Sequence, residues 1–432
     1  MIHNKNKLDA LHSQYDIVIA GGGLVGISLA CALAVSNDEL SILLIDNFPI
    51  KGTSKDGSVV GPIYHPSFDA RATALSMSSI EIYQRLGVLE KLLVHASPIS
   101  HIHVSDRGHA GSTLLSAEQQ NKTAYGYVIE NQWLGAVLLN RLMDLPSIEL
   151  LSEASVANIV PRQKGASVSV AANHLSQNHQ VKVNASLLVV ADGANSGLRE
   201  SLGISASIKQ YDQQAVIANV QTQLPHNGHA FERFLVDGAV ALLPLPDLPN
   251  APRRSALVWT MPDQHHAQSK ADLNDADFIK ALQSAFGFRL GDIQHVGQRQ
   301  SYPLALTLAN EVIRNHIVVM GNAAHSLHPV AGQGFNLSLR DIAALTELVS
   351  EASDNNQDIG ELSLLERYAK VQLKDQDITI GFSHNLIELF GRQALPIQLG
   401  RSLGLLALDI LTPVKKQFSD QASGLNGRRP IL

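Results

Sequence analysis

Tyr15 to Ala20 (YDIVIA) is a short, mostly apolar run, the pattern of a strand buried on both faces of a parallel sheet. Glycines follow it, then a stretch with helical character from Leu24 to Val35, then a second apolar run from Ser41 to Ile45. The order predicts a strand, helix, strand unit. Ser186 to Val190 (SLLVV) and Ile317 to Met320 (IVVM) repeat the buried-strand pattern, each ending in a turn that contains glycine. Buried strands so far apart in the chain predict one nucleotide-type domain assembled from discontinuous pieces.

The pattern changes between Gln213 and Pro262, where long runs with partial alternation (QAVIANVQTQ, HAFERFLVDGAVALLPLP, RSALVWTMP) predict an antiparallel sheet with one covered face. Helical spacing of apolar residues marks Asp275 to Phe286, and beyond Gly334 the chain reads as helical almost to its end. Polar or glycine-rich linkers occur at Lys51 to Gly61 and Ser353 to Gly360, and no repeat or low-complexity tract occurs. The fold class is therefore α/β, with a doubly wound core and an inserted antiparallel-sheet domain. Residues 12–75, 110–205 and 296–350 are assigned to the nucleotide domain, 76–109 and 206–295 to a substrate domain, and 351–432 to a C-terminal helical region.

The 432 residues, 45% of them hydrophobic and 17% charged, suffice for a large core. A net charge of -6 gives no electrostatic footprint for nucleic acid, which is excluded as a partner. The single cysteine, Cys31, cannot form an internal disulfide and fits a reducing compartment. The polar start, MIHNKNKLDALHSQYD, lacks the apolar core of a signal peptide, so a cytoplasmic protein is expected. No stretch approaches the roughly 20 apolar residues of a spanning helix, which limits membrane contact to the periphery.

Chemistry enters with GGGLVG, in which Gly21, Gly23 and Gly26 make a GxGxxG turn between strand and helix. The first glycine permits the tight turn, the second lets backbone approach a pyrophosphate, and the third lets helix pack on strand. The phosphates would sit at the positive end of the helix. Asp46 ends the next strand, where an acidic side chain accepts hydrogen bonds from an adenosine ribose. This motif alone does not separate FAD from NAD. Two later segments do: ADGANSGLR, from Ala191 to Arg199, and GNAAHSLHPVAGQGFN, from Gly321 to Asn336, each of which follows a buried strand.

With these three segments in order, the chain resembles the p-hydroxybenzoate hydroxylase-like FAD monooxygenases along essentially its whole length. The runs FDARATALS (68–76), HVSDRGHAG (103–111), IANV (217–220), AFERF (230–234) and YPLALT (302–307) are similar to the ubiquinone-biosynthesis branch, in particular to hydroxylases of 2-polyprenyl-6-methoxyphenol. The resemblance implies a Rossmann-like FAD-binding domain of the glutathione-reductase type. It also implies hydroxylation of a polyprenylated phenol, with NAD(P)H as reductant and O2 as oxidant, and company with other ubiquinone-biosynthesis proteins. Cofactor contacts are implied for Arg71, Gln132, Asp192, Gly193, Asn322, Pro329, Gly332, Gly334 and Asn336, besides the glycines and Asp46. Pro329 would shape the loop over the flavin, Gly332 and Gly334 would let backbone amides approach its ring, and Asn336 would bond the ring or cap the following helix. One departure stands out: the family's usual Asp in the third segment is Asn322, whose amide oxygen can still accept a hydrogen bond but without charge assistance.

No protein acid or base is assigned, and which of Phe231, Arg233 or Phe234 faces the substrate stays open. His325, His328, His265 and His266 lack cysteine or carboxylate partners at ligand spacing, so no metal is expected. The absence of a GxSxG elbow argues against a serine hydrolase, and that of a second GxGxxG against a disulfide reductase. A sibling hydroxylase acting elsewhere on the ring or on a non-quinone aromatic remains an alternative, as does an isoprenoid reductase. From Leu395 to Leu411 the helically spaced Leu399, Leu403, Leu406 and Ile410, with Lys415 and Lys416 following, make a candidate for lipid contact or for packing on the protein's own core.

Overall fold

The computed structural model describes residues 8–49, 71–108, 112–173, 179–236, 238–262, 270–327 and 332–391. Pro329, His328, His265, His266, the 51–61 linker, residues 68–70 and the 395–411 segment lie outside them.

Parallel strands in the order β19-β11-β1-β2-β8 form the spine of the first sheet. They are β1 (Gln14–Ala20), β2 (Ile42–Ile45), β8 (Ile148–Leu151), β11 (Gln180–Val190) and β19 (Ile317–Val319). An antiparallel strand, β18 (Ile313–Arg314), closes one edge, and the ribbon of β9 (Ala154–Pro161) and β10 (Ala166–Ala172) pairs antiparallel with β11. Alternate residues enter different cores. Ile17, Ile19, Leu44, Leu187 and Val189 pack under α1 (Leu24–Ser36), α4 (Asn131–Met143) and α7 (Gln333–Asp354), while Val18, Leu43, Leu188 and Val190 join the apolar layer on the other face. Burial on both faces is why these strands read as continuous apolar runs.

The second sheet runs β20-β17-β12-β15-β14-β13-β5-β6. Its strands are β5 (His101–Asp106), β6 (Ser112–Ser116), β12 (Ala206–Thr222), β13 (His229–Leu235), β14 (Gly238–Pro244), β15 (Arg254–Pro262), β17 (Gln300–Ala309) and β20 (His325–Ser326), with β16 (Ile293–Val296) also paired to β12. All pairings are antiparallel except that of β13 with β5. One face is covered by α6 (Asp275–Phe286), whose Phe278, Leu282 and Phe286 pack against Val216, Leu257 and Trp259. The helix starts where Asn274 accepts the Asp277 N–H at 3.0 Å, the bounds its apolar spacing predicts. The other face is left for the site.

A small sheet of β3 (Ala72–Ser76), β7 (Gly126–Glu130) and β4 (Ala96–Pro98) lies between the two. It is tied to the second sheet by a buried ion pair, Arg254 to Glu130 at 2.6 Å, to which Asn219 adds a hydrogen bond at 3.2 Å. The remaining helices are α2 (Met77–Arg85), α3 (Leu89–Leu93), α5 (Gly197–Ser201) and α8 (Leu362–Gly391). Strand pairing cuts across the division drawn from sequence. β6 and β17, placed with the nucleotide domain, pair in the second sheet, whereas α2, placed with the substrate domain, packs its Ile80, Ile82 and Tyr83 into the first core. Among the described residues no helix is long and apolar enough to cross a membrane.

Candidate functional site

The turn from β1 into α1 is built by close backbone approach. Gly21, at φ 115°, lies so near strand β11 that a Cβ would fall 2.3 Å from the Ala191 carbonyl oxygen, and a Cβ on Gly26 would fall 1.8 Å from that of Gly21. Any side chain at either position would force helix and strand apart. Gly23 is the N-cap of α1 and no side chain caps it, so the helix presents its first N–H groups outward. Asp46, buried at the end of β2, accepts the Gly22 N–H at 2.5 Å on one oxygen and the Phe48 N–H at 2.7 Å on the other. The carboxylate thereby fixes the glycine turn to the second strand.

The two later segments meet the first across the ends of β11 and β19. In the loop after β11, Gly193 faces the cavity described below, while Asp192 is exposed and accepts the Leu198 N–H of α5 at 3.2 Å. Arg199 is buried and donates to the Ala323 carbonyl at 3.0 Å, locking this loop to the short turn Gly321–Ala323 that carries Asn322. Sequence reasoning missed this arginine, although it closes the ADGANSGLR run. His325 is structural: it is buried and hydrogen-bonds Asp341 at 2.5 Å.

Helix α7 begins at Gly332, again without a side-chain cap. The Asn336 side chain in the first turns of this helix is held by four partners within the protein. Its Oδ1 accepts from the Ser76 N–H at 2.8 Å and the Ser79 hydroxyl at 2.7 Å, and its Nδ2 donates to the Ala74 carbonyl at 2.8 Å and the Gly332 carbonyl at 2.9 Å. Both donor hydrogens and both acceptor sites are used within the protein, so the side chain staples β3 to α7.

These elements form one wall of a cavity of about 490 Å³, which Gly23, Arg71, Gly193, Asn322, Gly332, Gly334 and Asn336 all line. Arg71 lies just ahead of β3 with its guanidinium over the Tyr302 ring, 5.2 Å from the centroid. Gln132 is exposed in the first turn of α4, and its neighbour Asn131 lines the cavity instead. Gly21, Gly26, Asp46 and Asp192 support the wall from outside its lining.

The opposite wall is the open face of the second sheet. Strand alternation brings Ala230, Ala239, Ala241, Ala256 and Val258 to it, small residues that leave room, with Ile217 and Leu243 beside them. The same alternation answers the question about AFERF. Phe231 packs edge-on against Phe286 of α6 and Arg233 donates to the Phe286 carbonyl, both on the covered face, while Phe234 packs with Val104 and Ala239. The side chain of this strand that enters the cavity with Ala230 is Glu232. Burial alone pushes its carboxyl up to about 7.

A glycine turn and two uncapped helix N-termini facing one cavity, opposite an apolar wall, define a dinucleotide-dependent enzyme. The family model of the FAD binding domain matches residues 14–370, and the chain belongs to that family; it is an FAD-dependent monooxygenase. It is 34% identical over 409 residues to the ubiquinone hydroxylase UbiL of Rhodospirillum rubrum, covering 95% of this chain and 89% of that protein. It is 28% identical over 452 residues to the human mitochondrial ubiquinone biosynthesis monooxygenase COQ6, covering 95% and 92%. Among solved structures, p-nitrophenol 4-monooxygenase PnpA from Pseudomonas putida shares the fold, with a TM-score of 0.73 at 16% identity over 96% of this chain and 100% of that one.

Proposed function

We propose that this protein hydroxylates the aromatic ring of a polyprenylated phenol in ubiquinone biosynthesis, using O2 and electrons from NAD(P)H. The observation that carries the reading is the two-sided cavity, cofactor-type backbone on one wall and small apolar side chains on the other. The names of the relatives from Rhodospirillum rubrum and human support the pathway.

The residues present fit FAD. The glycine turn at Gly23 and the N-terminus of α1 would take the pyrophosphate, since bare N–H groups and a helix dipole favour anions. Asp46, at the end of β2, would face the adenosine ribose. Arg71, Asn322 and the backbone of Gly332 and Gly334 would hold the ring end, where the α7 N-terminus favours negative charge. When bound, the flavin supplies the electron transfer and oxygen activation that no side chain can. The protein's own part is to bind, orient and exclude water. Arg199 and Asn336 hold the loops of the cofactor wall, and the alanine-rich sheet face receives the ring and keeps the space dry.

The test is oxygen uptake by the FAD-loaded protein with NAD(P)H and a prenylated phenol. A hydroxylase couples uptake to hydroxylated product, whereas a reductase needs no O2. Lipid extraction from a deletion strain would then name the ring position through the phenol that accumulates. Loss of the gene without any change in quinone precursors would refute the pathway assignment.

A further inference from the structure

Glu232 stands alone in its surroundings. Across the sheet its neighbours on the same row are Val104 of β5, Ala241 of β14, Val258 of β15 and Ile217 of β12, all apolar. It lies deep within the protein yet keeps access to the cavity, so its carboxyl borders open space. Among the described residues it makes no hydrogen bond or ion pair. A carboxyl group held this way costs stability, and a polar group in an apolar wall fixes the orientation of what binds there.

We propose that Glu232 anchors the substrate's ring hydroxyl, holding the aromatic ring flat against the alanine-lined sheet and turning one ring edge toward the cofactor wall. The inference rests on the reading of this cavity as the seat of a phenol. A carboxylate accepts the phenol's hydrogen bond, whereas the protonated acid donates one, so the contact changes character near neutral pH. The other ionisable groups lining the cavity, among the described residues, are Arg71, just ahead of β3, and the Tyr125 phenol. On β5, Asp106 lies opposite Phe234, two residues further along the strand from Glu232, while β12, β14 and β15 bring no ionisable side chain to this wall. Arg233 is turned to the covered face. None of these supplies a charge partner to Glu232, whose burial is the cause of its raised carboxyl.

The test is calorimetric titration of the FAD-loaded, full-length protein with a geranylated phenol and with its O-methyl ether, which lacks the hydroxyl proton. The native protein is expected to prefer the phenol about tenfold or more above about pH 8, the worth of a hydrogen bond to a charged group. In Glu232→Leu that preference should fall to about twofold or less, with FAD binding unchanged. Glu232→Gln, which keeps shape and an acceptor, should retain some preference but lose its variation between about pH 5 and pH 9. A purely structural role would move neither the preference nor its pH profile.

An unchanged preference in Glu232→Leu, or an unchanged pH profile in Glu232→Gln, overturns the anchor. Native protein that hydroxylates phenols yet binds phenol and ether alike overturns the anchor while the hydroxylase reading stands. Selective binding without any hydroxylated product does the reverse. Binding of neither compound overturns both.

Discussion

Replacing Glu232 by glutamine should make the substrate-free protein more stable, and by an amount that depends on pH. Burial lifts the carboxyl from 4.5 to about 7. At about 1.4 kcal/mol per unit this corresponds to about 3 kcal/mol, which water entering the cavity would reduce to roughly 2–3 kcal/mol. The sign follows from the direction of the shift. Below about pH 4.5 the group is protonated in both folded and unfolded chains and carries no penalty; the penalty grows as pH rises to about 7 and is constant above. Glutamine is neutral throughout, so the gain of Glu232→Gln should be absent near pH 4 and full at about pH 8. Urea denaturation of FAD-saturated native and variant protein across this range measures the difference, because every other ionisable group is common to both. A difference independent of pH, or a variant less stable at pH 8, would refute the reasoning.

Three more outcomes are expected. Gly26→Ala places a Cβ 1.8 Å from the Gly21 carbonyl, and the protein should be isolated without FAD or unfolded, as flavin absorbance and circular dichroism would reveal. Arg254→Met leaves Glu130 buried without its cation and should cost about 3–5 kcal/mol, largely restored by adding Glu130→Gln; failure of the double variant to recover would show that the pair does not join the two sheets. Ala241→Phe fills the cavity from the sheet wall, so FAD should stay bound while phenol binding measured by calorimetry is lost.

Much of the nucleotide half was legible because parallel strands buried on both faces betray themselves as apolar runs, and because the turn from β1 to α1 admits few residues besides glycine. Helix α6 was legible through its spacing. What stayed hidden depends on partners distant in sequence. The role of Asn336 requires Ser76, 260 residues earlier, to be its neighbour. β6 and β17 carry no mark of the sheet they join, since pairing is decided by strands elsewhere. Glu232 was concealed in AFERF because alternation gives two faces without saying which is covered; the alanines at 239, 241 and 256 were the available signal, and they speak only once register aligns them with Ala230 and Glu232.

The order in which the first sheet acquires its strands has a consequence for biogenesis. β1 leaves the ribosome early, but its neighbour β11 stays without its own outer neighbour until β19 has been made, near residue 319. At roughly 5–20 residues per second about 6–26 s pass between completion of β11 and completion of β19. During that interval the apolar β1, β2 and β11 form an open template for wrong pairing, and their non-local closure is slow. Asn322 and the start of α7 emerge later still, so the cofactor can bind only after nearly the whole catalytic region has been synthesised. Flavin capture is then a late step of folding, and a cell short of flavin would accumulate an incompletely closed chain that chaperones and proteases compete for.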